Sequence, residues 1–203
     1  MKDIPQPKWF SLIPYQDALL LQQQYIESIE GGGDEIIMGL EHPTVITLGK
    51  RGGSIQGLFS QIPVIHTQRG GLATAHEPGQ LVIYPIINIQ KRKIALRTWV
   101  QGLEDVVLSF LREHDLLGTR SMHAGVWIGE KKIASIGLQI VNGISSHGLA
   151  INIQNSLEIF SLIEVCGLKE QSMTSMKENG IYISTKEAFF HISQKLQDWI
   201  ENF

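Results

Sequence analysis

The chain carries one cysteine, Cys166, in 203 residues. A single thiol excludes an intramolecular disulfide and thiolate-rich zinc sites, and it leaves a reactive thiol open. Long apolar runs are missing as well. No stretch approaches the roughly 18 apolar residues of a membrane span, and the N-terminal MKDIPQPKWFSLIPYQDALL has no uninterrupted apolar segment behind its basic residue. A cytoplasmic protein without membrane contact is the expectation. Positive charge is not in excess: 17 Lys+Arg stand against 20 Asp+Glu, for a formal net charge of -3 and a pI near 6.2. With no basic run either, binding of nucleic acid by bulk electrostatics is excluded. Among the 7 histidines none has a partner at metal-ligand spacing. His76 and Glu77 lack the second histidine of a helical zinc motif, and Pro78 forbids the helix interior such a motif needs. No metal is expected. Linkers and low-complexity tracts are also absent, and RGG, though found at Arg51 and Arg69, has unlike flanks that argue against duplication. One domain over residues 1–203 is the expectation.

What is present fits an ordered core: 43% hydrophobic residues and a mean hydropathy of +0.02 are those of a globular chain. Ala18, Leu21, Tyr25 and Ile29 recur at helical spacing until Gly31, Gly32 and Gly33 stop the pattern. Trp99, Leu103, Val106 and Phe110 trace a second amphipathic helix. A third starts at Ser184, with Glu187 three residues on as a capping box, and runs through Phe189, Ile192, Leu196 and Trp199. Between them EIIMGL, TVITLG, QLVIYPIINI, the hairpin GVWIG/KKIASIGLQI and HGLAINI read as at least five strands. The fold class is therefore α+β, a mixed sheet flanked by helices.

Three places carry candidate chemistry. RGGLATAHEPGQ is a glycine-bearing loop ahead of a very apolar run, but it lacks the lysine followed by serine or threonine of a phosphate loop. Cys166, followed by Gly167, is either a small buried hydrophobe or a nucleophile; Lys132 and His147 are candidates to lower its pKa or take its proton. Lys131 and Lys132 enter a strand together, so alternation turns one of them away from solvent, unless both lie at the strand end with their amines in water. A desolvated lysine can exchange a proton with a thiol near neutral pH. His76 and His147 each flank glycines beside an apolar strand, which suits a structural or a pocket role.

Six segments in order, YQDAL, LEHPTVITLGKRG, RGGLATAHEPGQLVIYPI, GVWIGEKKIASIGLQI, HGLAINI and the Cys166-Gly167 pair followed by MTSM, resemble the lipoyl(octanoyl) transferase family over nearly the whole chain. That family is similar in fold to the biotin/lipoate protein ligase catalytic domain. The resemblance implies transfer of an octanoyl group from octanoyl-acyl carrier protein to a lysine of a lipoyl domain, without cofactor. The implied acceptors are the lipoyl domains of 2-oxoacid dehydrogenase acyltransferase subunits and the glycine cleavage H protein. It assigns Cys166 as nucleophile and Lys132 as the residue that lowers its pKa. Substrate-binding segments carry over to Arg69, Gly70, Gly71, Leu72, Ala73, Thr74, Ala75 and His76, to Ser135, Ile136 and Gly137, and to Gly148, Leu149 and Ala150. The apolar Leu72, Ile136 and Leu149 suit an eight-carbon tail, at about 0.8 kcal/mol per buried methylene.

Two residues depart from the family pattern. Glu77 replaces the glycine of HGPGQ, adding charge beside the proposed pocket, where it would retune His76, reject a carboxylate-bearing substrate or face solvent; Val165 replaces the proline before the cysteine. Three alternatives remain at this stage. A cysteine-dependent amidotransferase would use a lipoyl-type protein as donor. An ATP-dependent ligase would not need the cysteine and lacks its nucleotide loop here. A non-catalytic acyl-binding or docking module would have no use for the lysine–cysteine separation.

Overall fold

The computed structural model describes residues 4–55, 61–163 and 173–203. Seven strands form one sheet: β1 (Gln6–Leu12), β2 (Ile36–Glu41), β6 (Gln80–Ile86), β7 (Gly118–Thr119), β8 (Gly125–Ile128), β9 (Lys131–Val141) and β10 (Ile144–Asn152). Their spatial order is β1-β2-β6-β10-β9-β8-β7, with β1 and β2 parallel and the other neighbours antiparallel. A second sheet, β4-β3-β5, is built from β3 (Val45–Leu48), β4 (Val64–His66) and β5 (Ala73–His76). Helices α1 (Tyr15–Glu30), α2 (Leu96–Arg112) and α3 (Thr185–Glu201) complete the fold.

The central strands β2, β6 and β10 are buried at nearly every position because both faces are covered. Ile37, Leu81 and Ile83 point into one core with Trp99, Phe110 and Val107 of α2 and Phe189 and Leu196 of α3. Their neighbours Met38, Val82 and Tyr84 point the other way, against Ala18 and Ile26 of α1. The three expected helices and the expected strands are all present. α3 begins as its capping residues dictate, with the Glu187 N–H donating to Ser184 Oγ at 3.1 Å. α1 has no side-chain cap; Pro14 precedes it and Asp17 sits in its first turn, where the helix dipole favours an acid.

The smaller sheet is the main addition to the expected architecture. Its residues Ile46, Leu48, Ala73 and Ala75 make a third core with Ile159, Phe160, Ile163 and Met173. The chain from 154 to 163 follows this sheet: a 3-10 helix spans Glu158–Leu162, and Ile163 bridges to Ile55. On the far side of residues 164–172 the chain resumes at Met173, which bridges to Lys132 of β9, and the Thr174 N–H donates to the Lys132 carbonyl at 3.0 Å.

Candidate active site

Between the two sheets lies a cavity of about 540 Å³, within the range of small-molecule sites, about 300–1,000 Å³. β5 and the loop before it form one wall; β9, β10 and β6 form the other. All the carried-over binding residues line it except Ala75, and Lys132 lines it too. Ala75 sits on the reverse face of β5, fully buried in the small sheet's core; alternation along a strand allows no other place for it between Thr74 and His76. Cys166 and Val165 lie outside the described residues.

The loop wall is held by Arg69. Its guanidinium is buried and donates to the Thr47 carbonyl and hydroxyl, each at 2.8 Å, and to the Gly70 carbonyl at 3.1 Å. The Gly70 N–H donates to the Leu138 carbonyl of β9 at 2.8 Å, so the two walls are joined at the glycine pair. At the strand pair, alternation separates the lysines as expected. The Lys131 side chain is half in water, whereas Lys132 is only 1% exposed. Lys132 Nζ donates to the Ala124 carbonyl at 3.2 Å and lies 4.8 Å from the centre of the Trp127 ring, a cation–π geometry.

The inner wall is aromatic and neutral. His42 Nδ1 lies 2.7 Å from the Ile13 carbonyl; a carbonyl only accepts, so Nδ1 carries the proton and Nε2 accepts from Tyr84 Oη at 2.8 Å. His76 Nδ1 donates to Gln80 Oε1 at 2.7 Å. The Gln80 amide in turn donates to Asn152 Oδ1 at 3.0 Å, and Asn152 donates to the Thr174 carbonyl at 3.0 Å. A hydrogen-bonded chain thus runs from His76 to the strand carrying Lys132. His147, with φ at 55°, donates its N–H to Gln22 Oε1 at 2.7 Å. Burial lowers the pKa of His42 and of His147 to about 4 and that of His76 well below the usual histidine value, while burial raises Tyr15 and Tyr84 against the opposing pull of Arg69. All three imidazoles are neutral acceptors at physiological pH.

Glu77 neither faces solvent nor lines the cavity. It is buried, and its carboxylate accepts from the Leu157 N–H at 2.8 Å, from Ser156 Oγ at 2.9 Å and from Asn155 Nδ2 at 3.1 Å. The adjoining turn is held likewise, the Gly79 N–H donating to Glu41 Oε2 at 2.6 Å. Glu77 therefore fastens the loop after His76 to the chain entering the 3-10 helix.

The sequence profile of the lipoyl protein ligase A/B catalytic domain matches residues 14–196. The chain belongs to this family. Among relatives of this family, it is 34% identical over 201 residues to an octanoyltransferase of Desulfovibrio desulfuricans, covering 91% of this chain and 85% of that protein. It is 38% identical over 174 residues to an octanoyltransferase of Alkaliphilus metalliredigens, covering 81% and 80%. Among solved structures, lipoate-protein ligase A bound with ATP superposes with a TM-score of 0.74 at 13% identity, over 98% of this chain and 86% of that one. At that identity the likeness is one of fold.

On this lipoyl protein ligase A/B scaffold, sequence reasoning missed Tyr15, His42, Tyr84, Gln80 and Thr47. The one available signal was polarity inside apolar strands, as with Tyr84 in QLVIYPI and Thr47 in TVITLG. Leu96, Met122 and His123, on the cavity rim, carried no signal at all.

Proposed function

We propose that the chain is an octanoyltransferase that moves an octanoyl group from octanoyl-acyl carrier protein to a lysine of a lipoyl domain by way of a thioester on Cys166. The observation that carries this reading is a buried lysine, Lys132, lining the cavity between the two sheets, with Met173 of the cysteine-bearing stretch's far flank paired to it. The Cys166 thiolate attacks the donor carbonyl, the carrier thiolate leaves, and a second thioester forms at nearly even energy. The acceptor lysine's amine then displaces Cys166 and forms an amide, which is downhill. Lys132 takes the thiol proton as the nucleophile forms and returns it to the departing carrier sulfur. Neither step consumes a nucleotide. Half-buried Ile136 and Leu72 and buried Leu149 supply the apolar lining for the tail. Lipoyl domains of 2-oxoacid dehydrogenase acyltransferase subunits and the H protein of glycine cleavage, all in the cytoplasm, are the acceptors this reading names.

The test is to incubate the protein with octanoyl-acyl carrier protein, without acceptor or ATP, and weigh it intact. An octanoyl adduct that is missing in Cys166→Ala is expected; no adduct on folded wild-type protein overturns the reading. Adding a lipoyl domain must then discharge the adduct. A donor requirement for an octanoylated lipoyl protein in place of the carrier would mark an amidotransferase.

A further inference from the structure

We propose that Glu104 of α2 is a positioning residue for Lys132, acting through the single peptide group that joins Ala124 to Gly125. The inference rests on Lys132 being the proton partner of Cys166. The carbonyl of that peptide accepts from Lys132 Nζ at 3.2 Å, and its N–H donates to Glu104 Oε1 at 3.0 Å. Ammonium and carboxylate thus sit at opposite ends of one amide. A carboxylate at the N–H end polarises the peptide and strengthens its oxygen as an acceptor, which favours the charged form of the lysine. A charged lysine favours the thiolate of a nearby cysteine.

The arrangement is built rather than incidental. Glu104 is 5% exposed, and a buried carboxylate is costly unless its oxygens are used. Its other oxygen takes Arg120 Nε at 3.0 Å; Arg120 also donates to the Gln101 carbonyl at 3.2 Å and pairs with Asp105. Gly125 cannot carry a side chain: a Cβ there would lie 2.4 Å from the Ala134 carbonyl and 2.7 Å from Lys132 Cε. The peptide is therefore clamped between α2 and the lysine. Among the described residues, the other charged or titratable groups facing this place include His123 of the same loop, Lys131 with Glu178, and Lys50, Arg51 and Arg69 with the neutral histidines across the cavity.

Cys166 is the sole cysteine, so alkylation of the full chain by iodoacetamide reports on it alone. Glu104→Gln keeps an oxygen for the Gly125 N–H and loses the charge. Its alkylation profile is expected to move up by about 0.5–1 pH unit, a rate at pH 7 lower by roughly 3- to 10-fold, with kcat falling in step and KM unchanged. Arg120→Met removes a neutralising cation and is expected to move the profile down. Profiles of both variants that superimpose on the wild type overturn the proposal. So does movement of both in the same direction with lowered melting temperatures, which marks a plain anchor. Should Glu104→Gln fail to fold, the sign of the Arg120→Met shift decides alone. Lys132→Met, run alongside, separates the two readings. If it too leaves the profile unmoved, the Lys132–Cys166 pairing fails and takes this proposal with it; if it shifts the profile and the other two do not, only the role of Glu104 fails.

Discussion

Glu77 stands where the family pattern has glycine, and its side chain explains a backbone conformation elsewhere. Leu157 has φ at 69°, a left-handed conformation that costs a branched residue of order 1 kcal/mol or more. The Glu77 carboxylate holds that residue's N–H and the two side chains before it. Glu77→Ala removes the charged acceptor of the Leu157 N–H and Ser156 Oγ and one of the two acceptors of Asn155 Nδ2, and a loss of about 2 kcal/mol is expected, read as a lowered urea midpoint. A change under about 0.5 kcal/mol, the range of ordinary surface substitutions, would count against the clamp. Glu77→Gln keeps one acceptor oxygen and is expected to restore part of the loss. At Lys132 the residue-scale prediction is steric: Gly125→Ala forces the new methyl onto the Ala134 carbonyl and the lysine stem. Octanoyl transfer is expected to fall at least about 100-fold, as when reacting groups are displaced by about 1 Å; near wild-type transfer would show that the loop can yield.

At the scale of elements, β10 joins the scaffold to the cavity. It pairs with β6 on one side and β9 on the other, and its Gly148 approaches β6 so closely that a Cβ would lie 2.1 Å from the Ile83 carbonyl. Gly148→Ala must therefore part the two central strands. A loss of about 3 kcal/mol is expected, seen as a drop in melting temperature, and retention of the wild-type value would mean the strands pair with more slack than the geometry shows. The central elements were legible in the sequence because their signals are local. QLVIYPI reads as a strand from its β-branched run, and Ser184 with Glu187 marks the start of α3. Of the smaller sheet only β3, read from TVITLG, was. ATAH of β5 consists of small residues after glycines and reads as loop, VIH of β4 spans only three residues, and WFS of β1 at the sheet edge lacks alternation. These strands exist because partners far along the chain complete their hydrogen bonds, which no window of neighbours displays.

For the whole molecule, the site is legible where family motifs cover it and illegible where it depends on assembly. Lys132, His76 and the glycine pairs stand in quoted motifs. The residues of the neutral inner wall stand in those segments too, but their mutual contacts do not show there, because Tyr15 meets His147 from 132 positions away and His42 meets Tyr84 from 42. That wall has a consequence for stability. Folded His42 and His147 take up a proton only near pH 4, whereas the unfolded chain does so near 6.5. The unfolded state therefore binds more protons below about pH 6.5. Stability is full above that value and is lost as the pH falls toward 4, by about 3 kcal/mol for each of these two residues, with His76 adding in the same direction. Urea titrations between pH 7.5 and pH 4.5 are expected to show this decline (about three pH units in span). Double replacement of His42 and His147 by Gln is expected to flatten it, and an equally steep decline in that variant would place the acid sensitivity elsewhere.

The bonds running from His76 through Gln80 and Asn152 to Thr174 join the small sheet to the large one with uncharged groups. Mobile ions screen charges and have little hold on buried dipoles. These links between the sheets are thus ones that ionic strength does not reach, and the cavity between them is expected to keep its shape from dilute buffer to concentrated salt, as an unchanged near-UV circular dichroism spectrum would show.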